Sequence, residues 1–414
     1  MKTVLVIGSG GRCHAIVEQL SQSPQVGKIF AAPGNAGIAQ KAECLAIGDT
    51  EIEKLLAFAK NNAVDLTVVG PEVPLSMGIA DKFAAVGLRI FGCTQAAARI
   101  ESSKEFAKDL MKRYGIPTAA YEVFSDYTAA LAYTQKQPLP VVLKYDGLAA
   151  GKGVVVAATR NEVQAALQAM LQDRKFGAGR VVVEEFLDGV EFSFMCFVNG
   201  SKVFPMELAQ DHKRAYDGDK GPNTGGMGAY SPLPFITEAD FNFALTQVMQ
   251  KTAQALVSEG CPFCGVLYGG LIKTAQGIKV IEFNARFGDP ETEVVLPRLT
   301  SDLYAIFNDV MDGKTPLITW SKQVALGVVL ASKGYPDAYK KGIAINGLDK
   351  VNAQVFHMGT RRDGAQLLTH GGRVLLLTVL ADTVAQAQNK ILEEVQKIDC
   401  AHLFYRKDIG WQAV

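Results

Sequence analysis

The chain has 414 residues, 48% of them apolar and 20% charged, which suits a globular protein of about three domains with sizeable cores. Its 42 basic and 42 acidic side chains balance, so no basic stripe points to nucleic acid or to an anionic membrane surface. No apolar run has the length of a bilayer span, and the opening strand meets a glycine loop rather than a cleavage site, so the cytoplasm is the expected compartment.

Up to about residue 100, short apolar strands alternate with amphipathic helices. Strands are expected at residues 4–8, 28–32, 66–70 and 88–92. Between them Thr50-Glu51-Ile52-Glu53 reads as a capping box, followed by Ile52, Leu55, Leu56 and Ala59 at helical spacing. Such alternation with short links predicts a doubly wound parallel sheet. Its ligands would sit beyond the carboxyl ends of the strands, where Gly8-Ser9-Gly10-Gly11-Arg12 and Gly70-Pro71-Glu72 fall.

A second capping box, Ser102-Ser103-Lys104-Glu105, opens a helix that Gly115 and Pro117 close. Strands at 141–145 and 154–158 flank a glycine loop; a helix at 162–171 and a strand at 180–184 follow. Residues 191–207 read as two strands joined at Asn199-Gly200, a type I′ hairpin dipeptide. Residues 211–232 are charged and glycine-rich without periodicity, which predicts a functional loop. The tail carries strands at 325–330 and 374–380 and a helix from 382 to 398.

Three glycine loops invite familiar readings, and two of those readings fail. Gly8-Ser9-Gly10-Gly11-Arg12-Cys13 lacks the third glycine of a dinucleotide fingerprint and the ribose-binding acid expected about twenty residues on, although a helix start after a glycine turn still suits a phosphate. Asp146-Gly147-Leu148-Ala149-Ala150-Gly151-Lys152-Gly153 is not a Walker loop, because it has Asp146 for the first glycine, no Ser or Thr after Lys152, and a strand behind it. It suits a mobile flap over phosphates. Lys144, inside the apolar strand before the flap, needs an anionic partner, either a phosphate or a neighbouring carboxylate. The third loop, Gly221 to Gly228, follows Gln210-Asp211-His212-Lys213-Arg214 and suits close approach to a small zwitterion. Of the seven cysteines only Cys261-Pro262-Phe263-Cys264 is closely spaced, and without further ligands it reads as structural.

The most telling stretch is Ile281-Glu282-Phe283-Asn284-Ala285-Arg286. Strand alternation puts Glu282, Asn284 and Arg286 on one face and turns Ile281 and Phe283 to the core. A carboxylate and an amide oxygen are hard ligands fit for Mg²⁺ alongside phosphate oxygens, and an arginine beside them can hold charge on a phosphoryl group in transfer. Glu184-Glu185-Phe186-Leu187-Asp188-Gly189, leaving a strand ahead of Glu191, offers backbone groups for an adenine edge and a carboxylate for a ribose.

Together, Lys104, Lys144, the flap GLAAGKGV, the hinge EEFLDG with Glu191 and the strand IEFN resemble the ATP-grasp family. More narrowly, VIGSGGR, APGNAG, VGPEVPL, QDHKRAYDGDKGPNTGGMGAYSP, IEFNARFGDPET, GGRVL and RKDIGW resemble the glycinamide ribonucleotide synthetases, end to end. The resemblance implies an α/β chain with an N-terminal doubly wound parallel-sheet domain (1–103), an ATP-grasp domain (104–322) and a C-terminal α/β domain (323–414). The ATP-grasp domain would combine a flap subdomain near 121–190 with a central mixed α+β domain. It implies ligation of glycine to 5-phosphoribosylamine through glycyl phosphate, with ATP as co-substrate and Mg²⁺ or Mn²⁺ as cofactor, in a monomer or weak dimer.

By the same resemblance Lys104 and Lys144 contact the nucleotide phosphates and Gly151, Lys152 and Gly153 close over them. Glu184, Glu185, Phe186 and Leu187 line the adenine and Glu191 the ribose; Glu282 and Asn284 hold the metal, and Arg286 steadies the transferred group. Asp211, Lys213, Gly225 and Gly226 position glycine and the acyl phosphate with Asp289 and Glu291, while Gly10, Gly11, Arg12 and Glu72 take the phosphoribosylamine. Cys13 stands where the family usually has an acid, on the substrate side; Ala285 replaces a cysteine, and Tyr145 stands in place of a small residue beside Lys144. The rival readings are another ATP-grasp ligase or carboxylase with a different acceptor, and a non-catalytic nucleotide sensor. Residues 211–232 would discriminate the first, and a sensor has no need of the acid–amide pair.

Overall fold

Apolar alternation along residues 2–8 sends Leu5 and Ile7 into one hydrophobic cluster and Val4 and Val6 into another, so this strand is buried on both faces as a central parallel strand must be. The computed structural model describes residues 1–149 and 153–414. Its N-terminal sheet is wholly parallel, in the order Glu43–Cys44, Val26–Pro33, Lys2–Gly8, Leu66–Val69, Ile90–Phe91. The four anticipated strands are present, and the glycine turn feeds the helix Gly11–Ser21.

Both anticipated capping boxes are displaced. The helix Ile52–Asn61 starts after Glu51 without a side-chain cap, because Glu51 turns back to the Gly48 amide (2.7 Å) and pairs with Lys54. The next helix, Lys104–Tyr114, is capped by Ser103, whose Oγ accepts from the Phe106 amide at 3.2 Å, while Glu105 is drawn away to Arg180. Gly115, in the left-handed region at φ +63°, ends it as expected.

Two antiparallel four-stranded sheets follow. The flap sheet runs Tyr121–Phe124, Val181–Glu185, Val141–Tyr145, Val154–Ala157, over its own small core of Val141, Leu143, Val163, Leu167 and Met170. Tyr145 belongs to that core, packed at 5.4 Å against the ring of Phe176. The central sheet runs Lys202–Pro205, Val190–Asn199, Cys264–Thr274, Gly277–Asn284. Its hairpin turns at Gly200 and Ser201 rather than at Asn199-Gly200, because Asn199 is still paired with Lys202 and its amide donates to the Val310 carbonyl at 2.7 Å.

Residues 211–232 are ordered structure instead of an irregular loop. Arg214–Tyr216 and Lys220–Asn223 form a hairpin, and Gln210–Asp211 and Gly228–Ser231 join the sheet of the C-terminal segment. That sheet continues through Val324–Ser332 and Arg373–Ala381 to Gln354–His357. The strand Gly228–Ser231 is buried at every position, so it shows no alternation to read. A Cβ at Gly228 would lie 2.5 Å from the Gly327 carbonyl oxygen. All seven cysteines are free, Cys261 and Cys264 among them.

Arg298 locks the central sheet to the C-terminal one. Only 3% exposed, it donates to Glu207 (2.8 Å), Ser231 Oγ (2.7 Å) and the carbonyls of Gln323 (2.8 Å) and Ser321 (3.0 Å). Hydrogen bonds from a charged donor contribute about 1.5–3 kcal/mol each, and removing one side of such a set leaves buried acceptors unpaired. Arg298→Met is expected to destabilise the fold by about 3 kcal/mol in denaturant unfolding, and an unchanged midpoint would remove Arg298 from this role.

Candidate active site

Two lysines meet one carboxylate between the flap and central sheets. Lys144, on the strand Val141–Tyr145, donates to the Ile281 carbonyl at 2.9 Å and pairs with Glu184 at 3.0 Å. Lys108, on the helix Lys104–Tyr114, pairs with the same Glu184 oxygen at 2.9 Å and donates to Thr118 at 2.8 Å. Lys108, Lys144 and Glu184 are 2%, 4% and 3% exposed, so here the partner of Lys144 is a carboxylate. Burial is the main force that drives Lys108 down to about 8, against the pull of Glu184. Lys104, at the start of the same helix, reaches the Gly147 carbonyl at 3.0 Å, and burial depresses it despite the nearby Glu282.

The strand Gly277–Asn284 carries the acid–amide pair, with one local difference from simple alternation. Glu282 pairs with Gly270 and Val280 with Leu271, leaving Ile281 as a bulge residue. Ile281 therefore stays out of the core that holds Val280 and Phe283, and its freed carbonyl accepts Lys144. Burial pushes the Glu282 carboxyl up, but Lys213, Lys144, Lys104 and Arg286 outweigh it and hold Glu282 ionised below the usual range. Thus Lys104, Lys144 and Glu282 share one neighbourhood, and Asn284 joins it through Arg286, whose Nη2 donates to Asn284 Oδ1 at 3.0 Å. Arg286 also pairs with Glu101 at 2.9 Å and Glu72 at 3.3 Å. Glu101 accepts from the Ala285 amide at 2.7 Å, which fixes the chain just after the pair.

On the far side, Asp289 joins the N-terminal loop to the C-terminal segment. Arg373 approaches it at 2.9 Å and Arg12 at 3.7 Å; burial opposes its ionisation, but the two guanidiniums hold its pKa down. Arg12 also donates to the Phe287 carbonyl at 2.8 Å and faces Glu72 at 3.9 Å. Gly10 and Gly11 start the helix Gly11–Ser21, close against Asp289 and Glu293. Arg373 Nη1 reaches the carbonyls of Gly225 (2.5 Å) and Asp289 (3.0 Å), and the Gly225 amide donates to Tyr335. Gly226, at φ +107°, lies so close to Asp211 that a Cβ would be 2.4 Å from Oδ1. Burial, and then Glu291, push Asp211 well above the usual carboxylate range. Glu291 is buried and accepts from Ser193 (2.8 Å) and Tyr268 (2.7 Å).

Some expected residues stand differently. Glu191 and Lys213, assigned to different ligands, pair with each other at 2.8 Å. Glu185 and Phe186 are exposed, with Glu185 on Lys279 at 3.1 Å, and Leu187 follows on the connector to the central sheet. Cys13 is not on an open face: it is 2% exposed, donates to the Ile7 carbonyl at 3.6 Å, and burial raises its thiol to about 12. Gly151 and Lys152 lie outside the described residues; Gly153 accepts from the Tyr145 amide at 2.7 Å. The sequence reading missed Lys108, Glu101, Arg373 and Glu293. Lys108 sits one turn after Lys104 on the same helix face, a spacing that pointed to it.

The donor set fits a hard cation that keeps most of its shell from elsewhere. Glu282 is ionised and Asn284 adds a neutral oxygen, whereas no cluster of three or more His, Cys, Asp or Glu suited to a metal occurs among the described residues. Mg²⁺ commonly takes one or two carboxylates plus phosphate oxygens and water, so this set suits it with a phosphorylated ligand beside it.

Two antiparallel sheets closing on opposed lysines and an acid–amide pair assign the chain to the ATP-grasp enzymes. Family profiles described as phosphoribosylglycinamide synthetase match in three consecutive pieces: the N domain at 2–101, the ATP-grasp (A) domain at 102–292 and the C domain at 325–412. The chain belongs to the phosphoribosylglycinamide synthetase family. Phosphoribosylamine–glycine ligases of Halalkalibacterium halodurans and Streptococcus pneumoniae are 53% and 50% identical to it, over 99% of this chain and 97% and 99% of theirs. A crystal structure of phosphoribosylamine–glycine ligase from Thermotoga maritima superposes with a TM-score of 0.87 at 32% identity, covering 99% of this chain and 100% of that one. A biotin carboxylase from Campylobacter jejuni shares the fold, with a TM-score of 0.75 at 15% identity over 98% of this chain and 93% of that one.

Lys108 gives this site a stability signature. Its folded pKa, about 8, lies below the ordinary 10.5, so between those values the unfolded chain holds more proton on it than the folded one. Its contribution therefore makes stability rise with pH across that window, by up to about 1.4 kcal/mol per pH unit. Lys108→Met is expected to flatten this slope in urea unfolding from pH 8 to 10.5, and an identical slope in both proteins would refute the assignment.

Proposed function

We propose that the cations gathered round Glu282 bind the triphosphate of ATP, and that the segment 210–232 and the N-terminal loop hold the two substrates to be joined. The chain is an ATP-dependent ligase that joins glycine to 5-phosphoribosylamine in purine synthesis, giving glycinamide ribonucleotide, ADP and phosphate. A glycine carboxylate is a poor acyl donor until one of its oxygens becomes a good leaving group. A carboxylate oxygen bonds the γ-phosphorus as the bond to the ADP oxygen breaks, giving glycyl phosphate. The amine of phosphoribosylamine then attacks the acyl carbon, the bond to phosphate breaks, and the nitrogen loses a proton. Phosphoryl transfer of this kind needs mainly positioning and charge neutralisation.

The roles follow from position and charge. Lys104 and Lys144 take the phosphates, with Gly151, Lys152 and Gly153 closing over them. Glu184 to Leu187 line adenine, and Glu191 takes the ribose hydroxyls. Glu282 and Asn284 would hold Mg²⁺ or Mn²⁺, which when bound neutralises phosphate charge. For Asn284 to do so, Arg286 must release its Oδ1 and turn to the transferred phosphoryl group. Likewise the Lys213–Glu191 pair opens, freeing Lys213 for the acyl phosphate. Asp211, whose pKa burial raises, is drawn back toward ionisation by the ammonium of glycine, since an adjacent cation lowers a carboxylate pKa. Glu291 and Asp289 keep the glycine loop in place, and Gly10, Gly11, Arg12 and Glu72 hold phosphoribosylamine.

The same proposal divides the chain at 1–103, 104–322 and 323–414 and makes it a cytoplasmic monomer or weak dimer with small-molecule partners only. No helix among the described residues is long and apolar enough to cross a membrane.

The observation that carries the reading is the convergence of Lys104, Lys144, Lys213 and Arg286 on Glu282. Phosphate release from ATP is expected only with glycine and phosphoribosylamine together, and release indifferent to glycine would reject the assignment. Glu282→Ala is expected to lower kcat by at least about 10³-fold in a protein that still unfolds cooperatively, although its four cations lose their shared counter-ion. Normal turnover by the folded variant would remove Glu282 from the site.

A further inference from the structure

The reaction makes no use of Glu293, and no other carboxylate in the site region is so poorly satisfied. It lies on the short helix Thr292–Val295, is 0% exposed, and neither side-chain oxygen has a hydrogen-bond partner among the described residues. A Cβ at Gly11 would fall 2.2 Å from its Oε1, so the carboxyl sits directly against the turn that opens the helix Gly11–Ser21. That helix has no side-chain cap and no acid in its first turn, which leaves its start open to an anion.

The charged and titratable groups facing Glu293 are Asp289 on its own loop, Arg12 and Cys13 on the helix Gly11–Ser21, and Arg373 from the C-terminal sheet. Burial first, then Asp289, push Glu293 well above the usual carboxylate range, with Arg373 and Arg12 opposing. The same two arginines hold Asp289 ionised, and the Cys13 thiol, raised to about 12, carries no charge near neutrality. As long as Glu293 keeps its proton, the anions beside these two guanidiniums are Asp289, shared by both, and Glu72, 3.9 Å from Arg12. An ionised Glu293 would add a further negative charge beside them.

We propose that Glu293 is a positioning residue for the phosphosugar substrate: as a protonated acid under Gly11, it sets no further negative charge against Arg12 and Arg373, which stay free to hold a phosphate at the start of the helix. This rests on the reading that Gly10, Gly11 and Arg12 take phosphoribosylamine. Binding and proton retention on Glu293 are linked, so the affinity for a phosphosugar falls as pH rises through its titration.

Ribose 5-phosphate is the probe, because its phosphate is already a dianion above about pH 7, its second pKa being near 6. Calorimetric titration from pH 7 to the highest pH at which the protein stays folded is expected to show wild-type affinity falling, by up to about tenfold per pH unit, once Glu293 loses its proton. Glu293→Gln, which stays neutral, is expected to match the wild type at the low end within about twofold and to stay flat. Parallel profiles for the two proteins, or a folded Glu293→Gln that binds more than tenfold weaker at the low end, overturn the proposal. Wild type alone supplies a second test. At the upper end of the range, titration in buffers of different ionisation heat is expected to show net proton uptake on binding, and none would overturn it. Arg12→Met separates the two levels: binding indifferent to Arg12 rejects the phosphosugar site itself, whereas parallel profiles with binding that needs Arg12 reject only the role of Glu293.

Discussion

Glu282 remains an anion in a half-buried cleft because four cations reach it from four separate segments of chain. Lys104 comes from a helix start, Lys144 from the flap sheet, Lys213 from the segment that joins the C-terminal sheet, and Arg286 from its own strand end. Taking any one away would leave the carboxylate with less to set against its desolvation, and taking the carboxylate away would leave four cations facing one another. Like charges that close are held together only by an anion, whether protein carboxylate or phosphate. The flap, the central sheet and the loops are thus drawn to one point by electrostatics as much as by packing. Packing alone would not do it, since the flap keeps a hydrophobic cluster separate from the two larger ones.

Glu184 does the same for the layer beneath. It bridges Lys108 and Lys144, and so ties the helix Lys104–Tyr114 to the flap strand through a buried ion pair on each side. Buried pairs of this kind are weak sources of net stability but strongly disfavour arrangements that leave one member alone. A flap that swings must therefore keep Lys144 near an anion throughout. With Glu184 paired to it and Glu282 in reach, Lys144 has two protein anions beside it.

The sequence made legible whatever depends on short-range pattern. The parallel sheet of residues 2–91, the flap strand Val141–Tyr145 and the acid–amide strand follow from periodicities that neighbouring residues impose. What was hidden depended on partners far along the chain. Residues 211–232 looked irregular because the strand Gly228–Ser231 is completed by Val324–Ser332, about a hundred residues later in number, and is buried on both faces. The capping boxes slipped because Glu51 and Glu105 found nearer or more distant partners than the motif supposes. Ile281 left the core because a bulge, set by the register with Gly270 and Leu271, has no signature in the strand itself. In the candidate site, motif and chemistry pointed to individual polar residues, but not to how they pair with one another. That Glu191 would hold Lys213, or Arg373 would brace Gly225 and Asp289, is tertiary information.

The buried acids of the cleft divide by how far the cations within reach offset their burial. Glu72, Glu282 and Asp289 are held ionised by arginines or lysines. Asp211, Glu101 and Glu293 are pushed the other way, by burial above all and then, for Asp211 and Glu293, by a neighbouring acid. The ionised set stands where positive charge is already plentiful, so that each carboxylate neutralises a cation and orients it. The second set is buried more than it is compensated, although within it Glu101 still pairs with Arg286 at 2.9 Å. Two of the three reactants carry phosphates, and every needless anion in the cleft would be repaid in lost affinity. Asp211 differs from its two companions in lying against Gly226 of the glycine-rich segment, with Lys213 and Arg373 near enough to favour its charge.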